Sequence, residues 1–109
     1  MVETNRIAAI ELQELDASTF IGTFLELCSG LPKACSIIRI INASDVGVAI
    51  SYDGVTVNDY LEAHDTLMLP VQTVALPPQK IVQFPIGFKV YINGLVGTGY
   101  VKLAGYYQP

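Results

Sequence analysis

The chain alternates short apolar stretches with polar turns, and the clearest pair of stretches lies near its middle. Residues 37–41 read Ile-Ile-Arg-Ile-Ile, with Arg39 as the one polar position, which is typical of a strand covered on both faces. Residues 42–45, Asn-Ala-Ser-Asp, are typical of a polar corner. Apolar side chains then occupy every second position of residues 46–51. The middle of the chain therefore predicts a buried hairpin.

Further strands are predicted on both sides of this hairpin. One precedes it at residues 20–28, and the later apolar runs are separated by Gly, Pro and Asn. These runs lie at residues 55–61, 66–72, 81–84, 88–92 and 100–107. Strands spaced about 8 to 12 residues apart, with turn residues between them, are typical of sandwiches and barrels. We predict an all-β fold, a single-domain, jelly-roll-like β-sandwich of about seven to nine short antiparallel strands.

The start of the chain has an ambiguous pattern. Its apolar residues alternate as in a strand, but the segment is also rich in Ala, Glu and Leu, which favour helix. We assign residues 1–15 to an N-terminal arm or first strand and residues 16–109 to the β-sandwich domain. Ile7, Ile10 and Leu12 have no obvious partner within the domain, so the arm is expected to contact another chain.

The composition indicates an apolar protein with partners. Of the 109 residues, 51% are hydrophobic and 15% charged. Alternation assigns other residues to the interior and leaves several large side chains to compete for the remaining space. They are Phe20, Phe24, Leu67, Leu69, Phe84 and several tyrosines. Some are expected to lie outside, where large apolar patches usually bind a partner. We therefore expect a homo-oligomer or a subunit of an assembly. The interface candidates are Ile7, Ile10, Leu12, Tyr100, Tyr106 and Tyr107.

Charge and hydropathy argue against two classes of partner. The net charge is −4, and the six basic residues are scattered, whereas binding to a nucleic-acid backbone requires a basic patch. The longest apolar runs have about four residues, far fewer than the roughly 20 that cross a bilayer. We expect no nucleic-acid partner and no membrane span. The first residues also lack the pattern of a signal peptide.

Residues that could perform chemistry are few. His64 is the only histidine, and it lies near Asp59, Glu62 and Asp65, a grouping that also occurs in general bases and metal sites. The segment has the composition of a polar turn, however, and we interpret His64 as a solvated turn residue. We expect no catalytic, cofactor-binding or metal-binding residues, and no enzymatic activity.

Two cysteines and one glycine-rich segment also have structural interpretations. Cys28 and Cys35 either close a short loop as a disulfide or remain two buried thiols, and the second interpretation is favoured. Together with one histidine they cannot supply four ligands to a structural zinc. The glycines of residues 94–99 precede a predicted strand rather than a helix, which favours a hairpin loop over a phosphate site.

Several sequence motifs occur in a fixed order along the chain. They are residues 20–24 (Phe-Ile-Gly-Thr-Phe), residues 37–42, residues 48–54 followed by 58–61, residues 88–91 and residues 97–103. Their order resembles a family of small virion structural proteins of tailed bacteriophages. The resemblance implies a jelly-roll-like sandwich that is made in the host cytoplasm and assembled into the virion, without enzymatic activity.

Within that family, the resemblance favours a capsid decoration (cement) protein that bridges capsid subunits and stabilises the head. The implied partners are the major capsid protein or other virion subunits. One alternative is a head–tail or tail/fibre accessory protein. Another, from a different class, is a carbohydrate-binding β-sandwich module, because an exposed face of tyrosines can stack on sugars. The six tyrosines fit subunit interfaces better than sugar binding.

Overall fold

The computed structural model describes residues 8–70, 73–74, 80–81 and 84–107. Within these residues the secondary structure consists of strands and one short 3-10 turn, Ala17–Thr19. The strands are β1 (Ala8–Ala9), β2 (Gln13–Asp16), β3 (Leu25–Cys28), β4 (Ile37–Ser44), β5 (Val48–Ser51), β6 (Asp59–Leu61), β7 (Thr66–Pro70), β8 (Thr73–Val74), β9 (Lys80–Ile81), β10 (Val90–Asn93) and β11 (Gly99–Tyr107). Two antiparallel sheets pack together, which confirms the predicted β-sandwich.

The strand order identifies the sandwich as a jelly roll. In the larger sheet, β1 and β2 pair with one edge of β11, followed by β4 and β7; in the smaller sheet the order is β3-β10-β5-β6. Strands from the two ends of the chain are therefore paired, β2 with β11 and β3 with β10, as in one long hairpin rolled into two sheets. There are more strands than expected, because the arm contributes two and β8 and β9 form a separate ladder.

The inner faces of the two sheets form the core, as alternation predicted. The central strands supply side chains with 0% exposure, namely Ile38, Ile40, Val48, Ile50, Val90, Ile92, Val101 and Leu103. Burying one side chain of this size contributes about 1.5 to 3 kcal/mol. Phe20 is also in the core, and Leu67, Leu69 and Phe84 pack against it. The expectation that some of the large residues lie outside therefore fails for these four and holds for two tyrosines, since Tyr60 is 61% and Tyr100 44% exposed.

The arm belongs to the larger sheet, which corrects the expectation that it has no partner in the domain. Ala9 pairs with Tyr106, and Leu15 with Val101. The Ile10 N–H donates to the Gly105 oxygen at 3.0 Å, and the Ile10 side chain is 9% exposed. A Cβ at position 105 would lie 3.0 Å from this side chain, so the glycine makes room for it. Ile7 lies outside the described residues.

The central strand β4 is covered on one face only. Ile38 and Ile40 are fully buried, whereas Ile37, Arg39 and Ile41 on the opposite face are half-buried. The prediction of a strand covered on both faces is therefore wrong. Apolar residues at both odd and even positions show only that both faces of the strand are apolar. They do not show whether a second layer of structure covers the outer face.

The predicted polar corner after β4 is an ordered network inside the sheet. β4 continues to Ser44, and Asn42 and Ser44 are fully buried. The Asn42 Nδ2 donates to the carbonyl oxygens of Val46 at 2.8 Å and Glu62 at 3.0 Å, and its Oδ1 accepts from the Ser44 N–H at 3.1 Å. One buried amide therefore satisfies backbone groups from both neighbouring turns.

Candidate interaction surface

The larger sheet carries a mainly apolar surface on the side away from the core. We call it the outer face and define it by the alternate side chains of three neighbouring strands. These are Ile37, Arg39, Ile41 and Ala43 of β4, Thr66 and Met68 of β7, and Tyr100, Lys102, Ala104 and Tyr106 of β11. Met68 is 54% exposed and Tyr100 is 44% exposed. Apolar side chains of three adjacent strands therefore reach solvent together.

Arg39 lies in the middle of the outer face. The strand registers place Met68 opposite it on one side and Ala104 on the other. Its Nε is enclosed and has no hydrogen-bond partner among the residues that the structure describes. An enclosed donor of a charged group that lacks a partner costs about 1 to 3 kcal/mol or more. The isolated domain therefore keeps one unfavourable polar group at the centre of an apolar surface.

The carboxylates near this surface already have partners. Glu14 of β2 lies opposite Lys102 of β11, and the Lys102 Nζ is 3.6 Å from a Glu14 carboxylate oxygen. Asp16 caps the 3-10 turn, because its Oδ1 accepts a hydrogen bond from the Ser18 N–H at 2.9 Å. Neither carboxylate is engaged with Arg39 in the domain.

The corresponding side of the smaller sheet is partly covered by its own chain. The turn after β5 folds over Tyr91, so that a Cβ at Gly54 would lie 3.2 Å from the Tyr91 ring. The Tyr60 hydroxyl occupies the space that a side chain at Gly47 would need. Lys89 pairs with Glu26 across the surface at 3.6 Å. This side therefore has one ion pair and a covering turn, although Val55, Val57 and Tyr60 are exposed on it.

The interface candidates from the sequence lie in different environments. Tyr100 and Tyr106 are part of the outer face, and Leu12, just before β2, is 44% exposed. Tyr107 packs against the core, with the Lys33 Nζ 5.8 Å from its ring centroid. Ile10 is buried within the domain, so it is not available to another chain. The sequence reasoning missed Ile37, Arg39, Ile41 and Met68, which form the centre of the surface.

A second group of exposed apolar residues lies on two neighbouring loops. Ile21 is 72% exposed, and Leu95 and Val96 are 73% and 66% exposed. The Gly22 N–H donates to the Gly94 oxygen at 3.0 Å and so joins the two loops. All three side chains are aliphatic, so they do not indicate which kind of partner would bind them.

His64 is not brought together with its neighbouring carboxylates into a site. It is exposed, with φ +62°, in the turn between β6 and β7. Asp59 instead accepts a hydrogen bond from the Tyr52 hydroxyl at 2.7 Å. Burial of the Tyr52 ring, followed by this hydrogen bond and the Asp59 charge, raises the pKa of Tyr52. Within the described part of the chain, no group of His, Cys, Asp and Glu could hold a metal ion.

Asp53 stabilises the turn after β5. Its Oδ1 accepts hydrogen bonds from the N–H groups of Thr56 and Val55, both at 2.8 Å, and from the Ser51 hydroxyl at 2.8 Å. These bonds favour the charged carboxylate and hold the pKa of Asp53 well below its usual range. The charge therefore fixes the turn that covers Tyr91.

Both cysteines are free thiols in the interior. Burial raises the pKa of Cys28, partly offset by a hydrogen bond from the Gly30 N–H, and the nearby Glu26 raises it further. Burial also raises the pKa of Cys35, and Cys28 adds to this effect. Because the thiolate is the reactive form, both side chains are expected to be inert in the folded protein.

Three comparisons extend this description. No protein-family model, no curated protein and no solved structure matches the chain. Among the described residues, no helix has the length and apolar character needed to cross a membrane.

Proposed function

We propose that this protein is a structural component of a tailed-phage virion, namely a decoration protein that binds the capsid through its outer face. The observation that carries the proposal is the outer face itself. Ile37, Ile41, Met68 and Tyr100 contribute apolar surface on neighbouring strands, with Arg39 between them and Lys102, which pairs with Glu14, on the same face. Contiguous apolar surface of this kind is typical of protein interaction sites.

The fold and the motifs add support of a weaker kind. The jelly roll recurs in viral capsid proteins, but it also occurs in lectins and cupins, so it supports the proposal by analogy only. The order of the motifs from residue 20 to residue 103 resembles small virion structural proteins. Both observations agree with a role in assembly.

A decoration protein needs only a modest interface, because its copies act together. Each copy that binds the assembled lattice, and not the free subunits, stabilises the lattice by mass action. If one copy contacts two capsid subunits, the second contact is intramolecular and strengthens attachment. One flat sheet face in each copy is sufficient for this purpose.

Head–tail and tail/fibre accessory roles would use the same surface and differ in copy number. A carbohydrate-binding role is less well supported, because the tyrosines do not form one platform. Tyr100 and Tyr106 lie on the outer face, whereas Tyr60 and Tyr91 lie on the opposite side of the sandwich. Sugar stacking requires aromatic rings that face one ligand together.

The test begins with purified particles of the phage that encodes the chain. Quantitative mass spectrometry should find the protein at a high copy number related to capsid symmetry. A low copy number in tails would favour the accessory role. Absence from particles, or binding of the isolated chain to glycans, would contradict the proposal.

Binding to the particle should depend on the outer face. Particles that lack the protein would be mixed with purified wild-type, Met68→Glu or Tyr60→Glu protein. Met68 and Tyr60 are 54% and 61% exposed, but they lie on opposite sides of the sandwich. Met68→Glu should weaken binding and Tyr60→Glu should not, because only the first places a charge in the proposed contact. Equal binding by both variants would exclude the outer face.

A further inference from the structure

We infer that the outer face recognises a carboxylate, an Asp or Glu side chain on a different protein, and that Arg39 binds it. This inference rests on the docking role proposed above, but it does not depend on the partner being a capsid. The enclosed Nε of Arg39, which lacks a partner among the described residues, is the observation that specifies the ligand.

The surroundings of Arg39 define what the partner must present. Met68 and Ala104 flank it across the sheet, and Ile37 and Ile41 flank it along β4. A guanidinium binds a carboxylate through two parallel N–H···O bonds, and the edge that includes Nε is suited to this geometry. The fitting partner is therefore a carboxylate surrounded by apolar side chains.

A small rearrangement is sufficient for this contact. Directly opposite Arg39 on β11, Ala104 has only a methyl group, and the larger Lys102 and Tyr106 lie diagonally on either side of it. Arg39 as a whole is half-buried, so its end reaches the surface while Nε is enclosed. Rotamer changes of interface side chains are common on binding and require little backbone movement.

A second copy of the chain does not provide this carboxylate from the same face. Glu14 is paired with Lys102, and Asp16 accepts the capping hydrogen bond from Ser18. The chain also has a net charge of −4, so two copies repel each other over longer distances. The outer face is therefore assigned to a partner of different sequence.

The inference can be tested by NMR on the full chain without knowing the partner. The probe is hexanoate, a carboxylate with an apolar tail, and the control is hexanamide, which has the same shape without the charge. The chain contains two arginines, Arg6 and Arg39, so its spectrum has two Nε–H signals, and the Arg39→Lys variant identifies the relevant one. Hexanoate should shift this signal with a Kd of about 1 to 10 mM, the range for so small a ligand.

The methyl signals of Ile37, Ile41 and Met68 should shift with the Nε–H signal. In Arg39→Met these methyl shifts should disappear, whereas Lys89→Met, which removes a cation from the opposite side, should leave them unchanged. An equal response to hexanamide, or no response at Arg39, would overturn the inference. So would self-association in analytical ultracentrifugation that Met68→Glu abolishes, because it would make a second copy the occupant.

Particle binding separates this inference from the proposed function. Arg39→Met should weaken binding to particles at least about 30-fold, the effect of losing one partner of a buried charge pair. If Met68→Glu abolishes particle binding and Arg39→Met does not, the proposed virion role is supported and the proposed contact between Arg39 and a carboxylate is wrong. If hexanoate binds at Arg39 but the chain is absent from particles, the virion role fails and the carboxylate site stands.

Discussion

The two sides of the sandwich that face away from the core are completed in different ways. On the smaller sheet, the turn at Gly54 covers Tyr91, Tyr60 covers Gly47, and Lys89 pairs with Glu26. On the larger sheet, Met68 and Tyr100 are exposed and the Arg39 Nε lacks a partner within the described part of the chain. The first side is partly covered by a turn of its own chain, and its enclosed polar groups have partners. The other side has the composition of half an interface, with an enclosed charged donor among apolar side chains.

The largest expected effect separates the two faces of β4. Ile40→Ala should lower the free energy of unfolding by about 2 to 5 kcal/mol, because it leaves a cavity in the core. Ile41→Ala, at a half-buried position on the outer face of the same strand, should cost about 1 kcal/mol in the isolated domain. Urea denaturation of both variants measures the difference. Similar losses would mean that the outer face is packed within the isolated chain.

The next effect concerns the buried amide between the two turns. Asn42→Ala should lower the free energy of unfolding by about 1 to 3 kcal/mol, because it leaves buried carbonyl groups without a donor. Asn58→Ala is the control, since Asn58 is exposed and only accepts from the Tyr52 N–H at 3.0 Å. Thermal or urea unfolding gives both values. If Asn58→Ala lowered the free energy of unfolding more than Asn42→Ala does, the buried network around Asn42 would not be the more important of the two.

A smaller effect is expected from the turn that covers the smaller sheet. Because the folded-state pKa of Asp53 lies below its unfolded value of about 3.9, its charge stabilises the fold above that pH. This contribution is lost as the pH falls below about 4. The stability of the wild type should therefore decline more steeply between pH 5 and pH 2 than that of Asp53→Asn. Parallel stability curves would contradict this role of the turn.

The smallest effect is expected at the centre of the outer face. Arg39→Met should change the free energy of unfolding of the isolated domain by less than about 1 kcal/mol, or raise it. Methionine fills a similar space and removes a donor without a partner. Chemical denaturation measures this value. A loss above 2 kcal/mol would show that Arg39 already has a structural partner in the domain.

Local pattern predicted the strands and the buried positions, but the predicted central hairpin is wrong, because β4 and β5 lie in different sheets. Alternation assigned Val48, Ile50, Val90 and Ile92 to the interior, and all four are fully buried. The partner of the arm could not be predicted in this way, because β11 lies at the other end of the sequence. No local signal links Ile10 to Gly105.

The surface was harder to predict than the core. Tyr100 was recognised because aromatic residues are common at interfaces. The residues of β4 were missed because a run of isoleucines indicates burial. It does not show whether the covering layer belongs to the same chain or to a separate partner protein. The buried position of Asn42 was missed because Asn usually marks a turn, and here it stabilises two turns from within a strand.

The central claim is that another protein covers the outer face, and oxidation of Met68 tests it most directly. Purified chain and assembled particles would be exposed to hydroxyl radicals, and modification of Met68 and Tyr60 would be measured by mass spectrometry. Both side chains are more than half exposed in the domain, so both should react in the isolated chain. In particles, Met68 should be protected while Tyr60 still reacts. Equal modification of Met68 in both samples would contradict the account.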